Sequence, residues 1–386
     1  MSQELASYTE LQSETVEQSR AILTTTLQEM HRAPARGDRL LGYAAAGLLS
    51  HIAGSDTFVS AFHDARQTRR KNGKFMPDLS VALLMTAHGV NNIYFGLGMY
   101  DYPHQLGLAT DDPEGGIHAY RENVFNVIER DHLDQYQGTL KEKYIHSSIF
   151  GRALAFRDII KRVHRSRPVT WADIGASDGK PIKWAAYPHL FPDDGVNFND
   201  QTCYNGQPTI TRARSPIPLE RLIAVDPEDP LKTEDSRRWL LANRLPAQAT
   251  IADVEKTRRE MSRYSGYFPH YEFREGTMFE PPVEAGSCHV VTASTVLAHI
   301  ARDRQDEGIA AMQNLLSQDG ILILQDYLAR DGQGRISSVD NRDPYTYGTW
   351  VYRQGFPYHV YAFESSDCTG IVRPGDDFME FMKATE

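Results

Sequence analysis

The chain has 386 residues, 41% of them hydrophobic and 24% charged, which is enough for two domains or one enlarged domain with a sizeable core. A formal net charge of −10 argues against general affinity for nucleic acid or an anionic membrane. Cys203, Cys288 and Cys368 are far apart and odd in number, so they make neither a disulfide framework nor a zinc site, and the start Met1-Ser2-Gln3-Glu4 lacks the regions of a signal peptide. A cytoplasmic protein without a membrane span is expected.

Residues 1–165 read as mostly helical. Leu5, Leu11, Ile22, Leu23, Leu27 and Met30 sit among polar residues at helical spacing, and Pro34 should end that run. Leu40 to Ile52 predicts an apolar helix. Ser55 or Asp56 caps another, which runs to Arg66, Arg69, Arg70, Lys71 and Lys74. That basic cluster reads as a solvated helix end, with a phosphate contact as the other reading. Leu79 to Tyr102 is apolar and carries His88, Asn91, Asn92, Tyr94 and Tyr100, either as buried helix polar groups or as a pocket lining. A loop over 111–116 precedes a helix from Ile117 to Gln135, and Thr139 to His164 predicts one further long helix.

From Val169 the pattern turns to strands alternating with helices, which implies a mainly parallel sheet covered on both faces. Strands are predicted at Val169 to Gly175, Leu219 to Asp226, Tyr271 to Arg274, Cys288 to Ala293 and Gly320 to Gln325. The alternating aromatics from Tyr358 to Phe363 read as an antiparallel sixth strand, or as the wall of a pocket. Helices are predicted at Ile182 to Leu190, Glu234 to Asn243, Ile251 to Tyr264 and Asp303 to Ser317. Two added segments, 192–218 and 245–270, are assigned to packing or association.

The stretch Asp173-Ile174-Gly175-Ala176-Ser177-Asp178-Gly179-Lys180 is a strand end, a tight turn and a helix start, where backbone can approach a ligand closely. It is not a triphosphate loop, because Gly175 and Gly179 are one residue too close and Pro181 follows Lys180. It is not the dinucleotide fingerprint either, because the second glycine and the third-glycine spacing are missing.

The motifs that remain resemble those of the Rossmann-like, class I, S-adenosylmethionine-dependent methyltransferases. Asp173 to Gly179 follows their first motif with Ser177 in place of the middle glycine. Leu222-Ile223-Ala224-Val225-Asp226-Pro227 matches an acidic second strand end. Val290 to Ile300 matches the fourth-strand region, and Gly320 to Leu324 the fifth. The resemblance covers roughly 169–327. It implies a seven-stranded Rossmann-like sheet at 166–386, with the helical 1–165 as a lid, substrate or homodimerisation domain.

The resemblance also implies roles. Asp226 would accept hydrogen bonds from the ribose hydroxyls of S-adenosylmethionine, with Pro227 beside it; the alternative is a capping or surface carboxylate. Gly175, Ala176, Ser177 and Gly179 would bring main chain to the cofactor, and Asp173 would orient the turn or the cofactor ammonium. The third motif, Gly276-Thr277-Met278-Phe279, offers no acid for the adenine, so Thr277 and Met278 would pack there instead. Ser294 ends the fourth strand in place of the Asn-Pro-Pro-Tyr type of motif, which disfavours a planar amide or base nitrogen as acceptor. His299 is the candidate base or a packing histidine; Asp326 and Tyr327 are candidates for the substrate mouth. Trp350 and Tyr352 are candidates for an aromatic wall. No metal is implied. The expected activity is methyl transfer to a small-molecule acceptor; protein or RNA methylation and a non-catalytic binding role are the alternatives.

Overall fold

The computed structural model describes residues 14–32, 39–71, 78–143, 150–190, 203–204, 207–208, 215–245, 250–332, 335–339, 346–364 and 372–385. Expectations at Leu5, Leu11, Pro34, Lys74 and most of 192–218 lie outside them. The chain forms two compact units: Met1–His146 with Thr233–Met261, and Ser147–Lys232 with Ser262–Glu386. Helix Phe150–His164 therefore belongs with the sheet, and helix Glu234–Arg244 with the helical unit.

The helical unit is built from Val16–Arg32, Arg39–Ile52, Thr57–Lys71, a helical run over 78–96 and another over 113–142. Its core includes Leu23, Leu27, Leu48, Phe58, Phe62 and Phe125, with Phe58 edge-on to Phe125 and Tyr136. Arg66 and Arg69 are buried, which corrects the solvated helix end at those two residues, while Lys71 is exposed. Arg66 pairs with Glu14 and Asp78, while Arg69 Nε donates to the Leu140 carbonyl at 2.8 Å, where a helix ends and carbonyls need donors. The polar residues of the next helix are structural in the same way. Asn91 Nδ2 donates to the carbonyls of Ala242 and Leu245 at the end of helix Glu234–Arg244, and Asn91 Oδ1 accepts from the Tyr102 hydroxyl at 2.8 Å. Gly115 and Gly116, expected in a loop, lie in a helix that starts at Pro113, capped by Asp112. The predicted helix from Thr139 to His164 is two pieces, one ending at Glu142 and one spanning Phe150–His164.

Among the described residues the second unit carries a sheet of nine strands, not seven: β1 Val169–Ile174, β2 Leu219–Asp226, β3 Tyr271–Glu275, β4 Cys288–Ser294, β5 Leu316–Arg330, β6 Ile336–Ser338, β7 Tyr347–Arg353, β8 Phe356–Phe363 and β9 Val372–Pro374. Strands β3-β2-β1-β4-β5 are parallel in that spatial order, and β7, β8 and β9 continue the sheet antiparallel, each to its neighbour. The extra strands arise because β5 runs on beyond Gln325 and pairs there with β6, while β8 gains β9. β1 is buried at every position, as a central strand covered on both faces must be.

Alternation sorts its side chains. Trp171 packs with Phe156, Ile159 and Ile182 from helices Phe150–His164 and Lys180–Ala186 on one face. Ala172 and Ile174 pack with Ile309 and Met312 of helix Arg302–Asn314 on the other. No helix of the described residues is long and apolar enough to cross a membrane.

Candidate functional site

In an open parallel sheet, ligands bind outside the carboxyl ends of the strands. At that edge β1 gives way to a turn with three left-handed residues, Gly175 at φ 73°, Ser177 at φ 54° and Gly179 at φ 68°. Serine at the middle position thus takes the backbone conformation that a glycine adopts freely. The turn is tied to β2. The N–H groups of Gly175 and Ala176 both donate to the Val225 carbonyl, and the Ser177 N–H donates to Asp226 Oδ2 at 2.9 Å. A Cβ on Gly175 would lie 2.4 Å from Val296 Cγ2, and one on Gly179 2.6 Å from the Tyr271 hydroxyl. Both glycines are therefore required by conformation and by space. Helix Lys180–Ala186 then begins with Pro181 in its first turn, where a missing N–H costs nothing.

Two carboxylates flank this turn. Asp226 ends β2 half-buried, and burial raises its pKa to about 7 against the opposing N–H bonds from Ser177 and Glu228. Asp173, near the end of β1, is buried and accepts from the Thr292 hydroxyl. Burial lifts it to about 7 as well, opposed by the Thr292 bond and reinforced by the charge on Asp226. Thr292 sits opposite Asp173 in the β1–β4 register and also accepts from Trp171 Nε1 at 2.8 Å. Sequence reasoning missed Thr292: its alternation with Ser294 was legible, but its pairing register was not.

The other expected residues fall in separate places. Pro227 and Thr277 are exposed, and the Thr277 hydroxyl accepts from the Glu280 N–H. Met278 is buried against helix Arg302–Asn314, where a Cβ on Gly308 would lie 2.3 Å from its methyl. Ser294 ends β4 with its hydroxyl 3.3 Å from the Tyr347 hydroxyl. His299 closes a short 3-10 turn, Leu297–His299, after β4. Asp326 is buried, and its two oxygens accept from the N–H groups of Ala298 at 3.0 Å and Tyr327 at 2.8 Å. Burial raises its pKa to about 6, against those N–H bonds and the positive charge of Arg152. It anchors the turn that bears His299.

Tyr327 lies at the edge with its ring 5.1 Å from Tyr347. Trp350 and Tyr352, expected beside it, pair with Leu324 and Leu322 inside the sheet and pack in the core on the side of helix Arg302–Asn314. The antiparallel register instead brings Tyr347, opposite Tyr327, to the carboxyl edge. No cluster of metal-ligating side chains occurs among the described residues.

The sheet is Rossmann-like. No family model matches the chain, and no curated protein matches it in sequence. Among solved structures it is similar to the YcgJ protein from Bacillus subtilis, at 16% identity over 47% of this chain and 53% of that one, with a TM-score of 0.26. It is similar to an S-adenosylmethionine dependent methyltransferase from Mesorhizobium loti, at 11% identity over 48% and 63% of the two chains, TM-score 0.24. A third is the 1,6-didemethyltoxoflavin-N1-methyltransferase of Burkholderia thailandensis, solved with 1,6-didemethyltoxoflavin and S-adenosylhomocysteine bound, at 13% identity over 60% and 66%, TM-score 0.24. Each match spans less than two thirds of the neighbour's own chain. The fold is carried by the strand order and register, not by these superpositions.

Proposed function

We propose that the chain is an S-adenosylmethionine-dependent methyltransferase acting on a small-molecule acceptor. The observation that carries this reading is the turn after β1: three left-handed residues, an N–H bonded to the half-buried Asp226, and a fully buried carboxylate at Asp173. The residues fit the cofactor. A carboxylate has about four acceptor positions, so Asp226 retains capacity for two hydroxyl donors beside its backbone bonds, which suits a ribose diol. Asp173, lifted by burial, favours a neighbouring cation that restores its charge, which suits an ammonium group.

The cofactor supplies an electrophilic methyl on a sulfonium. The protein's part is alignment and exclusion of water, which provide most of the acceleration of such a displacement. Gly175, Ala176, Ser177 and Gly179 bring main chain to the ligand, and Ser294 closes the β4 side, with Pro227, Thr277 and Met278 toward the β2 and β3 ends. His299 takes the proton from an acceptor that is protonated at working pH, such as a phenol or ammonium. Asp326 fixes the turn that carries it, and Tyr327 borders the acceptor.

Calorimetric titration of the full chain with S-adenosylhomocysteine tests the reading. Saturable binding is expected, weakened about a hundredfold by Asp226→Ala, since two hydrogen bonds to a charged group disappear. A folded sample that binds no S-adenosylhomocysteine overturns the proposal. A mass-shift screen of a metabolite extract with S-adenosylmethionine then identifies the acceptor.

A further inference from the structure

Asp173 stands at the end of a chain of two hydrogen bonds whose direction follows from the chemistry of its members. Trp171 and Asp173 are two residues apart on β1 and so share a face, and the parallel register sets Thr292 of β4 opposite Asp173. All three are buried. Trp171 Nε1 donates to the Thr292 hydroxyl at 2.8 Å, and that hydroxyl donates to Asp173 Oδ1. An indole N–H can only donate, so it occupies a lone pair of the hydroxyl and leaves the single hydroxyl hydrogen to point onward to the acid. Among the described residues Asp173 receives no other hydrogen bond, so Oδ2 keeps its acceptor positions.

Burial of Asp173 favours the neutral acid, and the like charge of Asp226 at the end of β2 adds to that. The Thr292 bond works the other way, because a donor to the carboxylate favours the charged form. Tyr271 on β3 is also coupled to Asp173. It stays a phenol, since burial and the charges of Asp178, Asp229, Asp173 and Asp226 all raise its pKa, and Lys183 of helix Lys180–Ala186 lies 3.9 Å from the centre of its ring. Helix Phe150–His164 brings the apolar Phe156 and Ile159 to Trp171. Thr292 is thus the group that both opposes neutralisation of Asp173 and decides which of its oxygens is spent inside the sheet.

We propose that Thr292 and Trp171 are positioning residues of the cofactor site: the indole fixes the threonine hydroxyl, the hydroxyl holds Asp173 as an oriented carboxylate, and Asp173 receives the cofactor ammonium on its other oxygen. This rests on the methyltransferase reading above and adds to it two residues that act through Asp173.

The test titrates the full chain with S-adenosylhomocysteine and with 5′-methylthioadenosine by calorimetry between about pH 6 and pH 8, where the amine of the first ligand stays charged. Both ligands carry the ribose diol and only the first carries the ammonium. The ratio of the two affinities therefore separates Asp173 from Asp226, which titrates in the same range. In the parent chain this ratio should fall as pH drops through about 7 and the acid takes up its proton. Thr292→Val keeps the shape of the side chain and removes the donor. It should lower the ratio about tenfold near neutral pH, move its pH dependence upward, and leave 5′-methylthioadenosine affinity within about threefold, which also certifies the fold. Thr292→Ser restores the donor and should bring the ratio back to within about threefold of the parent. Trp171→Phe should lower it about threefold, since the hydroxyl hydrogen is then free to turn away.

The Trp171 indole N–H resonance, assigned among the four tryptophans, gives a reading in the unaltered chain and decides the matter if the valine variant does not fold. It should shift as Asp173 ionises and lose that shift in Asp173→Asn. A ratio that Thr292→Val leaves unchanged, an equal loss of both ligands, no recovery in Thr292→Ser, or an indole resonance indifferent to pH overturns this inference alone. Failure of the parent chain to bind S-adenosylhomocysteine overturns the methyltransferase reading and this inference together.

Discussion

The two halves of the carboxyl edge differ in charge and in how they are braced. On the β1–β2 side, Asp173 and Asp226 crowd the turn, and burial drives both toward neutrality. On the β4–β5–β7 side, Arg152 donates to the Thr295 hydroxyl and lies over the Tyr347 ring, and Asp326 accepts from backbone N–H groups. The first half thus gathers acids whose charge burial disfavours, the second a guanidinium bonded to a threonine hydroxyl.

The contrast can be broken most severely at Ser177. The left-handed backbone there tolerates glycine but makes a β-branched side chain a genuine outlier. Ser177→Val should reduce S-adenosylhomocysteine affinity by about tenfold or more, and Ser177→Gly should change it by less than about threefold. Equal behaviour of the two variants in calorimetry would mean that this turn does not shape the site.

A smaller effect, of opposite sign for stability and binding, is expected at Asp173. Its folded pKa of about 7 lies above the ordinary value of 3.8, so between those pH values the folded state holds the extra proton. The stability this proton contributes is fully present below about pH 4 and is lost as pH rises through 7. Asp173→Asn keeps an acceptor for Thr292 and removes the buried charge. The ligand-free variant should melt roughly 2–4 °C or more above the parent at pH 8, with the gap closing toward pH 5, while binding S-adenosylhomocysteine more weakly. A melting difference independent of pH would remove the burial argument.

The least effect is expected from Tyr352→Phe. Its position opposite Leu322, within the core, places it in neither half, so the affinity for S-adenosylhomocysteine should be unchanged within about twofold. A clear loss would place Tyr352 at the ligand site after all.

Much of the architecture was legible because it depends on local pattern. Apolar runs at β1, β2, β4 and β5, broken by turn residues and amphipathic helices, specify a parallel sheet, and the spacing of Gly175, Gly179 and Asp226 marks its ligand edge. The helix expected from Thr139 to His164 and the solvated basic cluster failed for a shared reason. Local periodicity does not report which long side chain will be enclosed, and Arg69 became the buried donor to the Leu140 carbonyl, close to where that helix ends. The aromatic wall failed differently. Tyr347, Trp350 and Tyr352 are all buried, and only the antiparallel register against β5 puts Tyr347 opposite Tyr327 at the carboxyl end of the sheet and the other two opposite Leu324 and Leu322.

By itself, then, the sequence determined the sheet-forming segments, the turn after β1 and the acid at the end of β2, because period, glycine and strand-end chemistry are encoded over a few residues. Tertiary structure decided the rest of the site. Thr292 reaches Asp173 across 119 residues, and Arg152 reaches Thr295 across 143. Such pairs are fixed by strand order and by which helix covers which face, and these are settled only when the whole sheet packs.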